Sequence, residues 1–191
     1  MIIGIDIDGV LADDDTYRLD YMAKYCFENN LPNLNKPYEY ENKCDWNKET
    51  AEDYREKYFY DYIKNVESRR FASEITKKLH DDGHKIIIIT GRYKTTEVSE
   101  IGNLMRKYTK EWLDKNNIVY DEICFAKCPK LKEVREKNID IMIDDSPEVV
   151  NIVHNSCKVF CFDNRYNVNL ECSNMTRVFS WYDIYRKIKE M

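Results

Sequence analysis

Asp6 and Asp8 end the apolar run Ile2–Ile7, and Gly9 follows them. Side chains alternate along a strand, so the two carboxylates point the same way, about 7 Å apart before the chain bends. Carboxylates this close repel unless a cation or a shared proton relieves them. Gly9 permits a tight turn that brings backbone N–H groups toward an anion. A hard divalent metal beside a phosphate is the chemistry that uses all three residues. The plainer alternative is a solvated acidic turn running on into Asp13, Asp14 and Asp15. The rest of the chain decides between them.

Two further polar groups follow apolar runs. Ile86–Ile89 lead into Thr90-Gly91-Arg92, where a hydroxyl and fresh backbone N–H groups can hold a phosphate oxygen. Ile139–Ile143 lead into a second acid pair, Asp144-Asp145. A lysine from the stretch 127–130, either Lys127 or Lys130, adds an ammonium just before the next helix. The set is acid pair, hydroxyl, ammonium, acid pair.

These groups need a scaffold that brings strand ends together. Runs of β-branched residues closed by Gly or polar residues predict strands buried on both faces, as in parallel sheets. They fall at Ile2–Ile7, Lys85–Thr90, Asp121–Phe125, Ile139–Ile143 and Lys158–Phe162. Between and after them, amphipathic patterns predict helices over Ala72–Asp82 (stopped by Gly83), Thr95–Asn116, Lys130–Lys137 and Tyr182–Lys189. A further helix begins at Pro147, capped by Ser146 or Asp145. Strands alternating with helices imply an α/β fold, a doubly wound parallel sheet of about five strands. Ligands of such sheets gather beyond the carboxyl ends of the strands, where the polar groups lie.

One segment breaks the alternation. Asp14–Glu28 reads as a helix, Asn29–Asp45 as loop, and Trp46–Val66 as a second helix or a broken pair, with no strand among them. That is too long for one crossover helix. The expectation is a small helical cap, 14–68, inserted over the first strand's carboxyl end, with 1–13 and 69–191 as the catalytic core.

Ile5-Asp6-Ile7-Asp8-Gly9-Val10-Leu11, Ile89-Thr90-Gly91-Arg92 and Ile143-Asp144-Asp145 resemble motifs one, two and four of the haloacid dehalogenase superfamily. The resemblance implies a phosphomonoester hydrolase in which Asp6 is the nucleophile, forming an aspartyl-phosphate. Asp8 would be the general acid and base. Mg²⁺ would be held by the Asp6 carboxylate, the Asp8 carbonyl and Asp144, with Asp145 orienting a metal-bound water. Gly9, Thr90, Gly91 and the motif-three lysine, Lys130 with Lys127 as alternative, would hold the phosphoryl group. Thr109-Lys110-Glu111-Trp112-Leu113 and Trp181-Tyr182-Asp183-Ile184-Tyr185 are similar to stretches of the 5′(3′)-deoxyribonucleotidase family, which implies a nucleoside monophosphate as substrate. The chain departs from that family in reading Thr-Gly-Arg where Thr-Ala-Arg is frequent. The alternative is another small phosphate ester or a nucleic-acid 3′-phosphate.

Most of the fifteen tyrosines fall before residue 63. Tyr17, Tyr21, Trp46, Tyr54, Tyr58 and Phe59 are the pool for a platform against a base, set against their use as the cap's own packing. Arg92 serves either the substrate's phosphate or sugar edge or an ion pair. A net charge of -5 gives no broad basic surface for extended nucleic acid. No apolar stretch approaches the ~18 residues of a membrane span, and the chain opens on a strand, not a leader. Seven scattered cysteines suit free thiols in a cytoplasmic protein, with Cys157 and Cys161 as core residues in preference to zinc ligands. A homodimer is left open.

Overall fold

Ile86–Ile89 are all fully buried, as a strand with neighbours on both edges and helices on both faces requires. A computed structural model of the protein describes residues 1–39 and 43–191. Its strands are β1 (Ile2–Ile5), β2 (Lys85–Thr90), β3 (Glu122–Phe125), β4 (Ile141–Asp144), β5 (Lys158–Phe162) and β6 (Met175–Val178). They form one parallel sheet in the order β3-β2-β1-β4-β5-β6. The helices are α1 (Asp14–Glu28), α2 (Lys48–Asn65), α3 (Ala72–Asp81), α4 (Glu100–Lys115), α5 (Leu131–Glu136), α6 (Pro147–Val153) and α7 (Trp181–Lys189).

Period-two alternation divides the strand residues between two cores. Ile3, Ile5, Ile86, Ile88, Ile141 and Ile143 pack with Ile75 and Leu79 of α3, Trp112 and Leu113 of α4 and Trp181 of α7. Ile87, Ile89, Met142, Val159 and Cys161 pack on the other face with Val134 of α5 and Val149, Val150 and Val153 of α6. The sheet is therefore wound on both faces. Ile5 stands beside Ile88 on one side and Ile143 on the other, so β1, β2 and β4 end together. The strand order turns outward in both directions from the β1–β4 pair, the place where open α/β sheets bind ligands.

The sheet has six strands where about five were expected. β6 is short and reads Met-Thr-Arg-Val, with no apolar run to mark it, because an edge strand needs only one neighbour. The helix expected from Thr95 starts at Glu100 instead: the Ser99 side chain accepts from Gly102 N at 3.0 Å. Arg106 donates to the carbonyls of Thr95 and Glu97, folding that segment back over the first turn.

The described residues of 14–68 contribute α1 and α2 and no strand. α2 is one helix, begun by Asn47, whose side chain accepts from Thr50 N at 2.8 Å. The described part of Asn29–Asp45 holds neither helix nor strand, and 40–42 lie outside the described residues. Met22, Cys26 and Cys44 form a small separate core with Trp46 and Tyr54 beside it. The end of α2 instead joins the large core through Tyr62, Ile63 and Val66, and Trp112 Nε1 donates to Val66 O at 2.8 Å. Asp15 on α1 adds a second tie, to Arg165 Nε at 2.6 Å and to Lys43 Nζ at 3.0 Å.

Candidate active site

The chain leaves β1 without a break in the ladder, since Asp6 N donates to Ile143 O at 3.0 Å. It then coils tightly: Val10, Leu11 and Ala12 all donate to Ile7 O, at 3.2, 2.9 and 2.8 Å. Gly9 makes this possible with φ +79°, where L side chains are strained. Its N–H, expected to face a phosphate, donates to Ala12 O at 3.1 Å in this conformation. Its carbonyl accepts from Arg69 Nε and Asn164 Nδ2, each at 3.1 Å.

Beyond the strand ends, Asp6, Asp144 and Asp145 offer oxygens that all lie within 4.8 Å of one another, and all three residues are buried. Lys130 Nζ sits 2.8 Å from Asp6 Oδ1 and 2.8 Å from Asp144 Oδ2. Lys127, the alternative, is exposed. Burial pushes the Asp6 carboxyl up to about 7, Lys130 opposing the rise while Asp144 and Asp8 add to it. Burial, with Asp144 and Asp6, also raises Asp145 well above the carboxylate range. Lys130 is pulled down by burial, but Asp144 and Asp6 outweigh this and hold it firmly as an ammonium. Three buried carboxyl groups share one ammonium, so without a further cation burial favours protons on Asp6 and Asp145, and a bound cation would let them ionise. The donors are all oxygens, which suits a hard cation such as Mg²⁺.

Asp145 is held by residues that sequence reasoning missed. Asn164 Nδ2 donates to its Oδ2 at 3.0 Å, Tyr166 O–H donates to the same oxygen, and Asn167 Nδ2 donates to its carbonyl at 2.8 Å. All three lie in the loop after β5, which carried no motif. Thr90 is fully buried beside the site, its hydroxyl accepting from Arg92 N at 3.3 Å, while Gly91 is exposed.

Asp8 stands apart from the buried cluster, at the floor of a cavity of about 260 Å³. Gly91, Arg92 and Tyr93 share that floor. Asp14, Tyr17 and Arg18 of α1 and Tyr54, Arg55, Tyr58, Phe59 and Tyr62 of α2 form the remaining wall. Of the cap aromatics foreseen as a platform, Tyr17, Tyr54, Tyr58 and Phe59 reach this space. Tyr21 and Trp46 do not. Tyr21, one turn further along the same face of α1, stacks on Tyr17 at 3.9 Å and donates to Asp61 Oδ2 at 2.7 Å, outside the cavity lining. Trp46 packs on Tyr25 and Tyr54 in the cap's own core. Arg92 takes the ion-pair alternative, with Nε 2.7 Å from Asp8 Oδ1. Tyr62, four residues beyond Tyr58 on the same stripe, was visible as helical spacing but not as a site residue. Its hydroxyl donates to Asp8 Oδ1 at 2.6 Å.

The whole chain, residues 1–191, matches the family model described as 5′ nucleotidase, deoxy (pyrimidine), cytosolic type C protein. A Chlorobaculum tepidum protein provisionally named 5′(3′)-deoxyribonucleotidase is 29% identical over 201 residues, covering 99% of this chain and 90% of that one. A Bacillus subtilis protein provisionally named as a nucleotidase is 25% identical over 195 residues, 95% of this chain and 90% of its own. A haloacid dehalogenase-like family hydrolase of Streptococcus pneumoniae shares the fold with a TM-score of 0.68 at 11% identity, over 98% of this chain and 97% of that one.

Proposed function

The chain belongs to the family of 5′ nucleotidases, deoxy (pyrimidine), cytosolic type C, and from that premise we propose its substrate, metal and route. It is a phosphoric monoester hydrolase of the nucleotidase kind with a haloacid dehalogenase-like fold. The substrate in this reading is a nucleoside monophosphate, of the 5′(3′)-deoxyribonucleotidase type. Residues 1–13 and 69–191 act as the catalytic core and 14–68 as the cap over it.

The observation that carries the reading is the pinning of Lys130 between Asp6 and Asp144, at strand ends that open toward an aromatic cavity containing Asp8. Asp6 attacks the phosphorus, and its Oδ–P bond forms as the bond to the nucleoside oxygen breaks. Asp8 protonates the departing oxygen, then takes a proton from the water that releases phosphate. Lys130, Thr90 and Gly91 hold the transferring oxygens. Asp6, Asp144 and the Asp8 carbonyl would hold Mg²⁺, with Asp145 orienting a water ligand. The metal supplies charge neutralisation for the phosphoryl group.

The cap aromatics Tyr54, Tyr58 and Phe59 supply flat apolar walls for a base. A cavity of about 260 Å³ suits a small ester better than the alternative, the phosphorylated end of a polymer, which needs an open and basic approach. The family's description as cytosolic supports a cytoplasmic setting, and no helix among the described residues is long and apolar enough to cross a membrane.

The test is phosphate release from 5′- and 3′-deoxyribonucleotides, ribonucleotides, sugar phosphates and a 3′-phosphorylated oligonucleotide, with Mg²⁺ and with EDTA. Release confined to nucleoside monophosphates, lost with EDTA and in Asp6→Asn, is the expected result. Release from sugar phosphates or the oligonucleotide alone would overturn the substrate. Wild-type rates in Asp6→Asn would overturn the covalent route.

A further inference from the structure

Among the described residues, both hydrogen bonds to the Asp8 side chain land on the same oxygen. Tyr62 O–H donates to Oδ1 at 2.6 Å and Arg92 Nε donates to Oδ1 at 2.7 Å. A carboxylate oxygen has two acceptor positions, so Oδ1 is filled. A proton placed there would have to displace one of two short bonds. We propose that Tyr62 and Arg92 are positioning residues for the acid: by filling Oδ1 they fix Oδ2 as the atom that exchanges the proton with the substrate. The inference rests on the reading of Asp8 as general acid and base given above.

The two donors are themselves locked in place. The Arg92 side chain is fully buried, and its guanidinium carbon lies 5.2 Å from the centre of the Tyr62 ring and 5.0 Å from that of Trp112. Among the described residues its Nη1 and Nη2 have no hydrogen-bond partner, so Nε to Asp8 is the polar contact that orients the fork. The aromatic faces add cation–π attraction that helps hold the guanidinium in place. Tyr62 is 7% exposed and has Tyr17 edge-on at 5.0 Å. One donor comes from α2 in the cap and the other from the loop after β2 in the core. The acid is correctly set only where these two parts of the chain meet.

The proton inventory is simple. In the first step the electron pair of the breaking P–O bond goes to the leaving oxygen, which takes the proton from Asp8 Oδ2 and departs as an alcohol. In the second, water forms the new P–O bond, the Asp6–phosphorus bond breaks, and the water's proton goes to Asp8 Oδ2. A nucleoside alkoxide is a poor leaving group and needs that proton. A nitrophenolate does not.

The experiment compares kcat/KM for a nucleoside monophosphate and for p-nitrophenyl phosphate, with Mg²⁺, in wild type, Tyr62→Phe, Arg92→Lys and Asp8→Asn. kcat/KM reports only the steps through departure of the alcohol, so the later hydrolysis does not mask the effect. General acid catalysis contributes on the order of 10²–10⁴-fold, and loosening the acid forfeits part of that. Tyr62→Phe is expected to lose roughly ten- to a hundred-fold on the nucleotide while staying within about threefold on the nitrophenyl ester. Equal losses on both esters would mark Tyr62 as merely structural, and wild-type values on both would show that its hydroxyl does nothing; either overturns the proposal. Tyr62→Phe keeps the ring, and Arg92→Lys carries the same comparison should the first variant lose its far-UV circular dichroism. Asp8→Asn separates the two levels of the argument. If it fails to discriminate between the esters, the assignment of Asp8 as acid is wrong, and this inference falls with it. If it discriminates and neither clamp variant does, only the inference falls.

Discussion

Gly9 and Asp145 approach so closely that a Cβ on residue 9 would lie 1.8 Å from Asp145 Oδ2. That oxygen already accepts from Asn164 and Tyr166, so it has no free space to yield. Gly9 is therefore required twice, once for its positive φ and once for the approach of the acid loop.

Gly9→Ala is expected to cost at least about 1–2 kcal/mol from the left-handed backbone alone, with the clash in addition. Urea unfolding measures it. In a double-mutant cycle, Asp145→Ala should recover the clash but not the backbone share. A strictly additive pair would mean that the loop around Asp145 moves away freely.

Lys130 and Lys127 should behave as opposites. Removing one partner of a buried ion network leaves uncompensated charge, at roughly 3–5 kcal/mol, and Lys130 faces both Asp6 and Asp144. Lys130→Met should lower the melting temperature and abolish phosphate release, whereas Lys127→Met should stay near wild type in both. The reverse pattern would reassign the phosphate lysine.

Much of this was legible before any coordinates. Asp6, Asp8, Thr90, Asp144 and Asp145 follow isoleucine-rich runs, and a buried strand that ends in a polar group advertises its place in the fold locally. What stayed hidden is what depends on distant pairing. Tyr62 meets Asp8 across 54 positions and Arg92 meets it across 84. Tyr166 lies in a polar loop whose only distinction is where it lands. β6 escaped notice because an edge strand with Thr176 and Arg177 lacks a buried alternation. Tyr21 and Trp46 show the opposite failure. Helical spacing puts Tyr17 and Tyr21 on one stripe, but it does not say how far along that stripe the cavity reaches.

In the proposed reading Mg²⁺ should stabilise the folded protein, because Asp6, Asp144 and Asp145 are brought together only by the fold. At a hundred times its Kd the gain is about 2.7 kcal/mol, read as a rise in melting temperature that EDTA reverses. Asp144→Asn should remove most of the rise. Tyr166→Phe should shrink it, since loss of a partner behind a metal-site acid costs roughly 10–100-fold in affinity. An unchanged Mg²⁺ titration in Tyr166→Phe would show that Asp145 is oriented by Asn164 alone.

Phe59 and Tyr21 test the cavity itself. Phe59 lines it and lies against Tyr93 at 4.1 Å, so its ring is presented by a neighbour that is itself fixed to the floor beside Arg92. Tyr21 lies one turn along α1 behind Tyr17, outside the cavity lining and engaged with Asp61. Stacking on an aromatic is worth about 1–3 kcal/mol per base. Phe59→Ala should therefore raise KM for a nucleoside monophosphate by roughly five- to a hundred-fold, with kcat less affected because Asp6 and Asp8 are untouched. Tyr21→Phe keeps the stacked ring and loses one of the two hydroxyls on Asp61, Tyr17 keeping the other, so its KM should match wild type. The same pair assayed on p-nitrophenyl phosphate should show a smaller Phe59 effect, because that ester carries no sugar to set its ring at the depth of a base. If Phe59→Ala left KM unchanged on nucleotides, the base would have to lie elsewhere, and the walls formed by Tyr54 and Tyr58 would be the next to truncate.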